Sequence, residues 1–323
     1  MTSPVTVLGI SNAIVDVLAH VDDKILAEIG SIKGSMTLID QDQAERIYDL
    51  MGPTTEMSGG SVANTIANLA TLGGQSAYIG CVADDRLGQV FVRDMKSLGV
   101  DVILPPVNTD ASTASSYILI SPGGERTLNT YLGACLELSP THVSEDAVAG
   151  AGLVLLEGYI WDNPHGPAAA DKAMRLAKES GAKIGLTLSD SYCVDRHRAA
   201  FAEAIDGRVQ MVFANEKEIM SLLGTRTFED AVAKTHELEP LFVLTRSEKG
   251  SVIVNNQCEV IQAAVPVDEV VDVTGAGDAY IAGFLYGWTA GLGLDESARL
   301  GSACAARVIQ QIGSRLEKSS QLA

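Results

Sequence analysis

The chain has 323 residues, 46% of them hydrophobic and 20% charged, and its 23 basic and 41 acidic side chains give a net charge of −18. This length and composition predict a globular protein with a sizeable core, built as one large α/β domain with a small addition or as two domains. The acidic balance argues against a nucleic-acid or anionic-membrane partner, because either needs a basic surface.

Short apolar segments rich in β-branched residues alternate with helical segments along most of the chain. The sequence predicts strands at residues 5–10, 77–81, 152–156, 183–188, 211–214 and 241–245. It predicts helices at residues 62–72, 84–98, 166–180, 195–205, 216–223, 228–237, 277–290 and 295–312. This alternation indicates βα units and a mostly parallel sheet that helices cover on both faces.

Two regions interrupt the alternation and predict a second, smaller sheet. Residues 12–40 contain strand-like segments at 14–20 and 35–39 with no crossover helix between them. Residues 112–132 form a hairpin pattern, with strands at 115–120 and 126–131 around a Ser-Pro-Gly-Gly turn. We expect a lid made of residues 12–40 and 111–132 over a core made of residues 1–11, 41–110 and 133–323. A structural addition without a lid function is the alternative.

Residues 272–278 read Asp-Val-Thr-Gly-Ala-Gly-Asp and precede an apolar helical stretch. A glycine-rich turn that opens a helix leaves several backbone N–H groups unpaired at the positive end of the helix dipole, which favours an anion. A carboxylate at Asp278 suits such a site if it takes a proton from a hydroxyl while the N–H groups hold a phosphoryl group. An ordinary N-capping aspartate is the alternative.

Two further patterns predict a site for hydroxyl groups. Ser58-Gly59-Gly60-Ser61, with Asn64 one turn later, opens a helix through glycines that allow close approach to the backbone. A tight turn capped by serine would explain the same residues. Asp16 is an acid in an apolar strand, which is costly unless it is paired. Either two sugar hydroxyls or a salt bridge would satisfy it.

Polar residues also follow two later predicted strands, at the strand ends where open α/β sheets bind ligands. Asn215 and Glu218 have capping-box spacing, and Glu218 holding Mg²⁺ through water is the functional alternative. Thr245, Ser247 and Gly250 follow the next strand and are placed to contact ATP phosphates, or they form an ordinary hairpin loop.

Several common signatures are absent from the sequence. There is no Gly-x₄-Gly-Lys-Ser/Thr phosphate loop and no Gly-x-Gly-x-x-Gly after the first strand, which disfavours a dinucleotide-dependent oxidoreductase. The five scattered cysteines show no Cys-x-x-Cys pair and no basic leader is apparent at the start, so a reducing cytoplasm is expected. The longest uncharged apolar stretch, 279–294, is too short to cross a bilayer.

Taken in order, these motifs resemble the ribokinase-like (PfkB) family of sugar and nucleoside kinases, from Val5 to about Gly313. The resemblance implies a three-layer α/β/α sandwich with a mostly parallel sheet and a small β lid. Segment 59–88 looks like the family's N-terminal signature and segment 272–285 like its C-terminal one. The implied reaction transfers the γ-phosphoryl group of ATP, with Mg²⁺, to a primary hydroxyl.

The resemblance also implies roles for individual residues. Asp278 would be the catalytic base, and the anion hole would be formed by Gly275, Ala276 and Gly277. The sugar would be held by Asn12, Asp16, Gly59, Gly60, Ser61 and Asn64. The ATP phosphates and Mg²⁺ would lie along Asn215, Glu218, Thr245, Ser247 and Gly250. A monovalent cation such as K⁺ would bind at Asp272 and the backbone of Thr274. The family commonly has glycine where Ser247 stands.

The opening Gly9-x-Ser-Asn-Ala-x-x-Asp and the segment 125–133 resemble the adenosine-kinase branch, in which Arg126 would lie in the lid and contact phosphates. Glu157 and Tyr159 follow a predicted strand and would face the nucleoside base, or Tyr159 is a core aromatic. We therefore expect adenosine or a related purine nucleoside as acceptor, with a free sugar as the alternative. A metabolite sensor without catalysis is a further alternative, and both a monomer and a homodimer are compatible with the sequence.

Overall fold

The computed structural model describes residues 6–104, 107 and 109–317. In chain order the strands are β1 (Val7–Ile10), β2 (Ile14–His20), β3 (Met36–Leu38), β4 (Thr55–Gly59), β5 (Ser76–Ile79), β6 (Asp101–Ile103), β7 (Ser115–Ile120), β8 (Arg126–Tyr131), β9 (Leu153–Glu157), β10 (Lys183–Thr187), β11 (Met211–Asn215), β12 (Leu241–Thr245), β13 (Ser251–Val254) and β14 (Glu259–Gln262). The helices are α1 (Asp23–Ile29), α2 (Gln41–Met51), α3 (Ser61–Thr71), α4 (Arg86–Leu98), α5 (Glu145–Gly150), α6 (Gly166–Ser180), α7 (Ser191–Ile205), α8 (Glu216–Leu223), α9 (Phe228–Thr235), α10 (Ala276–Thr289) and α11 (Leu294–Val308).

Within the described residues, the larger sheet has nine strands in the order β14-β13-β12-β11-β10-β9-β1-β5-β6. Every neighbouring pair from β12 to β6 is parallel, whereas β13 and β14 continue the sheet in antiparallel fashion. The predicted mostly parallel sheet is therefore confirmed. Its two antiparallel strands, 251–254 and 259–262, were not predicted.

The side chains of β9 show how the larger sheet is covered. Leu153 and Leu155 pack into the apolar cluster on one face, which includes buried residues of α3 and α10. Val154 and Leu156 pack into the cluster on the other face, with buried residues of α6, α7 and α8. All four side chains are at most 1% exposed. Burial on both faces is what a parallel sheet between two helical layers requires, so the three-layer α/β/α architecture is confirmed.

The smaller sheet has five strands within the described residues, in the order β3-β8-β7-β2-β4. The predicted hairpin is confirmed, because β7 and β8 pair antiparallel from Ser115↔Tyr131 to Ile120↔Arg126. Strand β2 pairs in parallel with β7 and antiparallel with β4. The smaller sheet thus includes residues 55–59, which the sequence analysis assigned to the core. The division into core and lid stays a prediction.

The sequence predicts no crossover helix between the segments 14–20 and 35–39, and the short helix α1, which lies between them, was not predicted. Asp22 caps it by accepting from the Lys24 N–H, and Gly30 ends it with a φ of 73°. The helix has seven residues and a single buried one, Leu26, so it lacks the apolar periodicity by which longer helices are recognised. Helix α2 was missed as well, although Asp40 and Gln43 form a capping box at its start.

The other predicted elements are present with boundary differences of up to four residues. The largest are at α7, which begins at Ser191 after the cap Asp190, and at α11, which ends at Val308. Val5, the first residue of the first predicted strand, lies outside the described residues. Among the helices described, none combines the length and the apolar character that a membrane span requires.

Candidate active site

The glycine-rich turn at residues 272–277 opens α10, as predicted. Gly275 precedes the helix with a φ of 73°, and a Cβ there would lie 2.3 Å from the Ser314 Cβ, so the position requires glycine. The Ala276 N–H donates to the Val273 carbonyl at 3.2 Å. Within the described part of the chain, the N–H groups of Gly275 and Gly277 have no acceptor. They are available to an anion at the positive end of α10.

Asp278 lies in the first turn of α10 and does not cap it. Its Oδ1 accepts from the Ser61 hydroxyl at 2.7 Å, and its Oδ2 accepts from Asn64 Nδ2 at 3.2 Å. The side chain therefore reaches across to the start of α3, which disagrees with the capping alternative. Burial raises the pKa of Asp278 to about 6, against the lowering effect of Ser61, Asn64 and Arg315. The carboxyl group is thus an ionised, oriented acceptor at neutral pH.

Asp16, on β2, faces the turn between β4 and α3. A Cβ at Gly59 would lie 2.3 Å from the Asp16 Cγ, and a Cβ at Gly60 would lie 2.7 Å from the Asn12 carbonyl oxygen. Both glycines therefore make room for neighbouring groups, and Gly60 also has a φ of 91°. Among the described residues, no ion pair or hydrogen bond satisfies the Asp16 carboxylate, contrary to the salt-bridge alternative. Burial raises its pKa to about 6, and the charges of Arg315 and Arg126 oppose that rise.

Glu157, at the end of β9, is buried behind the same turn and is 1% exposed. Its carboxylate accepts from the Asn12 N–H at 3.0 Å and from the Val62 N–H at 3.2 Å. Burial raises the pKa of Glu157 to about 7. The Asn12 side chain in turn accepts from Asn163 Nδ2 at 2.7 Å. Asn12 and Glu157 thus fix the backbone at the start of α3.

Tyr159 is half-buried and packs against the core cluster on the α6 face of the sheet. Its backbone N–H donates to the Ser189 hydroxyl at 3.2 Å. Burial and a hydrogen bond with Asp190 raise the pKa of its phenol well above the usual value. This environment agrees with the core-aromatic alternative.

A cavity of about 140 Å³ lies beside Asp278 at the carboxyl ends of the parallel strands. Polar groups on its wall are Ser61, Thr187, Ser189, Asn215, Glu218, Thr245 and Asp278, and Gly277 also lines it. The structure therefore brings the predicted base, two predicted ATP-contact residues and the predicted Mg²⁺ residue to one space. Such a position at the strand ends is the usual ligand site of open α/β sheets.

Asn215 and Glu218 form the predicted capping box at the start of α8. The Asn215 side chain accepts from the N–H groups of Lys217 and Glu218, and Glu218 accepts from the Asn215 N–H at 3.0 Å and from its side-chain amide. Glu218 is 5% exposed, and burial raises its pKa to about 7, with Asp190 and Asp278 adding to the rise. A buried acid with a raised pKa beside another acid fits a nearby divalent cation.

The loop from Thr245 to Gly250 joins β12 to β13 as a hairpin. Its closing bonds run from Arg246 N–H to the Gly250 carbonyl at 2.8 Å and from Gly250 N–H to the Ser247 carbonyl at 3.1 Å. Ser247 has a φ of 53°, in the left-handed region that favours glycine. Thr245 lines the cavity, whereas Ser247 and Gly250 are not among its lining residues.

Arg126 of the smaller sheet contacts the loop before α10. Its Nη2 lies 2.7 Å from Asp272 Oδ2, and its Nη1 lies 3.4 Å from the Thr274 hydroxyl. Asp272 also accepts from the Thr274 N–H and hydroxyl and from the Gly313 N–H. With these donors and Arg126 around it, the Asp272 carboxylate in this arrangement does not fit a bound monovalent cation.

Sequence reasoning missed Ser189 and Arg315 near the site and gave Glu157 a different role. Ser189, with a φ of 71°, lines the cavity, and Glu157 was considered for base recognition but not for holding the backbone. Arg315 donates to carbonyl groups of the β4–α3 turn at 2.6 to 3.2 Å. The positive φ of Ser189 leaves no signal in the sequence. Arg315 could have been singled out, because it is a charged residue in the Gly-Ser-Arg-Leu segment that follows the last helix.

Comparison with known proteins agrees with this geometry. The model of the pfkB family carbohydrate kinases matches residues 29–321. A solved adenosine kinase from Sinorhizobium meliloti is 46% identical, covers 97% of this chain and 96% of its own, and superposes with a TM-score of 0.89. A probable sugar kinase from Rhizobium etli CFN 42 is 43% identical with the same coverage and TM-score.

A third relative is the adenosine kinase of Saccharomyces cerevisiae, which is 28% identical over 97% of this chain and 96% of its own length. The family match begins after β2 and includes the glycine-rich turn before α10. The chain therefore belongs to the pfkB family of carbohydrate kinases, on its adenosine-kinase-like branch, and is a kinase that uses ATP to phosphorylate an alcohol group.

Proposed function

We propose that this protein transfers the γ-phosphoryl group of ATP to the 5′-hydroxyl of adenosine or a related purine nucleoside. The observation that carries the proposal is the Asp278 carboxylate, which Ser61 and Asn64 hold at the turn where the N–H groups of Gly275 and Gly277 have no acceptor among the described residues. The 46% identical adenosine kinase supports a nucleoside acceptor.

Asp278 acts as the base in this proposal. Its pKa of about 6 leaves it ionised at neutral pH, where it accepts the hydroxyl proton as the new P–O bond forms. Ser61 and Asn64 fix the direction of the carboxylate, so that its geometry is set before the substrate arrives. The N–H groups of Gly275 and Gly277 stabilise the charge on the transferred group.

Sugar recognition is assigned to the β4–α3 turn and β2. Asp16 has a carboxylate without a hydrogen-bond partner among the described residues, and it accepts from two neighbouring ribose hydroxyls. Gly59 and Gly60 allow the turn to pack closely against the Asp16 carboxylate and the Asn12 carbonyl, and the sugar binds beside these groups in this proposal. Asn12 supports this turn through Glu157.

The phosphates of ATP lie along Asn215, Thr245 and the 245–250 loop in this proposal. Glu218 holds Mg²⁺ through water, which its buried, acid-rich environment supports. When bound, Mg²⁺ neutralises charge on the phosphate oxygens. Arg126 contacts the phosphates after leaving Asp272. In the arrangement described, Arg126, Thr274 and Gly313 surround the Asp272 carboxylate, which does not support a bound K⁺ there.

A free carbohydrate is the second candidate acceptor. The 43% identical relative described as a probable sugar kinase favours it. Both acceptors use the same base and anion site, so they differ in what contacts the rest of the acceptor.

The decisive experiment incubates the purified protein with ATP, Mg²⁺ and one acceptor at a time: adenosine, inosine, guanosine, ribose or fructose. We expect ADP release with adenosine and a 5′-monophosphate by ³¹P NMR. A ligand at about 100 times its dissociation constant should also add about 2.7 kcal/mol of stability. Turnover and stabilisation by ribose or fructose but not by adenosine would select the sugar kinase.

A further inference from the structure

The chain after α11 returns to the active site and is fixed there by buried hydrogen bonds. Asn68 of α3 is fully buried, donates to the Ser314 carbonyl at 2.9 Å and accepts from the Leu316 N–H at 2.8 Å. Leu316 packs in an apolar cluster with Ala279 of α10. Arg315 is therefore held between two anchored neighbours.

The guanidinium of Arg315 bridges the end of β4 and the first turn of α3. Its Nη2 donates to the carbonyl and hydroxyl oxygens of Ser58 at 2.6 and 2.8 Å. Its Nη1 donates to the carbonyls of Ala63 and Asn64 at 3.0 and 3.2 Å. Ser58 is itself held by Asp94, which accepts from its N–H and its hydroxyl. The β4–α3 turn is thus clamped at both ends.

Arg315 also brings a positive charge to a group of buried acids. Its charge lowers the pKa of both Asp16 and Asp278, whereas burial raises them. Asp278 in turn acts on three further carboxyl groups, raising the pKa of Asp16, Glu157 and Glu218. Of the cations described, Arg126 also acts on Asp16, and Arg315 is the one that acts on Asp278. The neutral donors to Asp278 are Ser61 and Asn64.

We propose that Arg315 is a positioning residue of the phosphoryl-transfer site: it clamps the turn that carries Ser61 and Asn64, and its charge balances Asp16 and Asp278. Through Ser61 and Asn64 the clamp fixes the direction of the Asp278 carboxylate. The bidentate guanidinium serves both tasks, and a lysine retains the charge without the planar fork. The catalytic part of the inference rests on the proposed function.

The test compares the wild type with Arg315→Gln, Arg315→Lys and the control Arg299→Gln, whose surface pair with Glu296 does not line the cavity. One readout is kcat/KM for adenosine from pH 5.5 to 9. Arg315→Gln should lower kcat/KM at least tenfold at pH 7. It should also raise, by about one pH unit, the pH at which kcat/KM falls on the acid side of the profile. Arg315→Lys should lower kcat without changing the pH at which kcat/KM falls on the acid side. Arg299→Gln should match the wild type in both respects.

A second readout does not depend on turnover. The Asp278 carboxyl carbon is followed by NMR in protein labelled at the aspartate side chains, its signal assigned by its loss in Asp278→Asn. Its titration midpoint should rise by about one unit in Arg315→Gln and stay in place in Arg315→Lys. An unchanged midpoint in folded Arg315→Gln would overturn the charge role.

The two variants also separate the possible failures. A wild-type kcat in folded Arg315→Lys would show that the guanidinium hydrogen bonds do not position the β4–α3 turn. This measurement tests the positioning role even if Arg315→Gln does not fold. If the wild type phosphorylates no nucleoside, the proposed acceptor fails, while the NMR titration still decides whether Arg315 balances Asp278.

Discussion

Arg126 and Asp272 form an ion pair of 2.7 Å between the smaller sheet and the loop that precedes α10. Both side chains are less than a tenth exposed, at 9% and 7%. Arg126 also contacts Thr274, the residue before Gly275 in the glycine-rich turn. The position of the smaller sheet is thereby coupled to the part of the core that would hold the transferred phosphoryl group.

Arg126→Gln should therefore reduce both stability and activity. Removing one partner leaves Asp272 buried without its cation, which costs about 3 kcal/mol. The proposed phosphate contact is lost as well, and we expect kcat/KM for ATP to fall at least tenfold. Urea unfolding and steady-state kinetics measure the two effects. Arg175→Gln, which removes an exposed pair on α6, is the control. Unaltered kinetics in Arg126→Gln would exclude the phosphate contact.

Asp278→Asn should lower kcat by at least about 10²-fold, because general-base assistance contributes at least that much. Asparagine preserves the size of the side chain, so the variant should fold and bind ATP as the wild type does. Stopped-assay kinetics and calorimetric titration with ATP provide the measurements. Asp49→Asn, at an exposed position of α2, is the matched control. Near wild-type turnover would remove Asp278 from the role of base.

The pH dependence follows from the raised pKa of Asp278, about 6 in the folded protein against an ordinary value of 3.8. The base must be ionised, so kcat/KM should rise with pH through about 6 and then level off. The folded state binds the proton more tightly, so this group's contribution to stability is present below about pH 4 and is lost as pH rises through 6. Asp278→Asn should therefore lose less stability than the wild type between pH 4 and 8 in urea titrations. Equal pH slopes in the two proteins would contradict the assignment.

Gly275→Ala should destabilise the protein and impair catalysis. The new Cβ would lie 2.3 Å from the Ser314 Cβ at a φ of 73°. Overpacking costs about 1–3 kcal/mol in addition to the strain of the left-handed backbone. Gly291→Ala is the control, since Gly291 has a φ of 77° with nothing within 4 Å of the added atom. Equal melting temperatures for the two variants would show that the contact with Ser314 has no effect.

Glu157→Gln tests the buried acid behind the β4–α3 turn. The amide nitrogen cannot accept from the Asn12 or Val62 N–H, so one buried donor loses its partner, at a cost of about 1–3 kcal/mol. We expect a lower melting temperature and a raised KM for the acceptor. Glu179→Gln, on the exposed side of α6, controls for the change of charge. An unchanged KM for the acceptor would show that Glu157 contributes to stability alone.

The sequence allowed prediction of the central sheet and the start of α10, because both depend on local signals. Apolar alternation marks each βα unit, and the Gly-Ala-Gly turn specifies where α10 begins. Helix α1 was not predicted because it lacks such a local signal: Leu26 is its single buried residue, so the helix shows no apolar periodicity. The partition into core and lid, the residue roles, the cytoplasmic location and the oligomeric state stay predictions.

Contacts between distant parts of the chain could not be predicted from one sequence. Glu157 meets Val62 across 95 positions, and Arg315 meets Ser58 across 257. Neither contact leaves a periodic or spacing signal, because each depends on how the finished sheet brings strand ends together. The pairing of β4 with β2 was missed for the same reason.

The return of residues 313–316 to α3 and α10 has a consequence for proteolysis. Ser314 and Arg315 bond to Asn68, Ala63 and Ser58, which lie 246 to 257 positions earlier in the chain. A cut between α11 and residue 313 would free this segment to leave, and the buried amide of Asn68 would then lose its partners. Such a nick would loosen the helix start that orients Ser61 and Asn64 without touching either sheet.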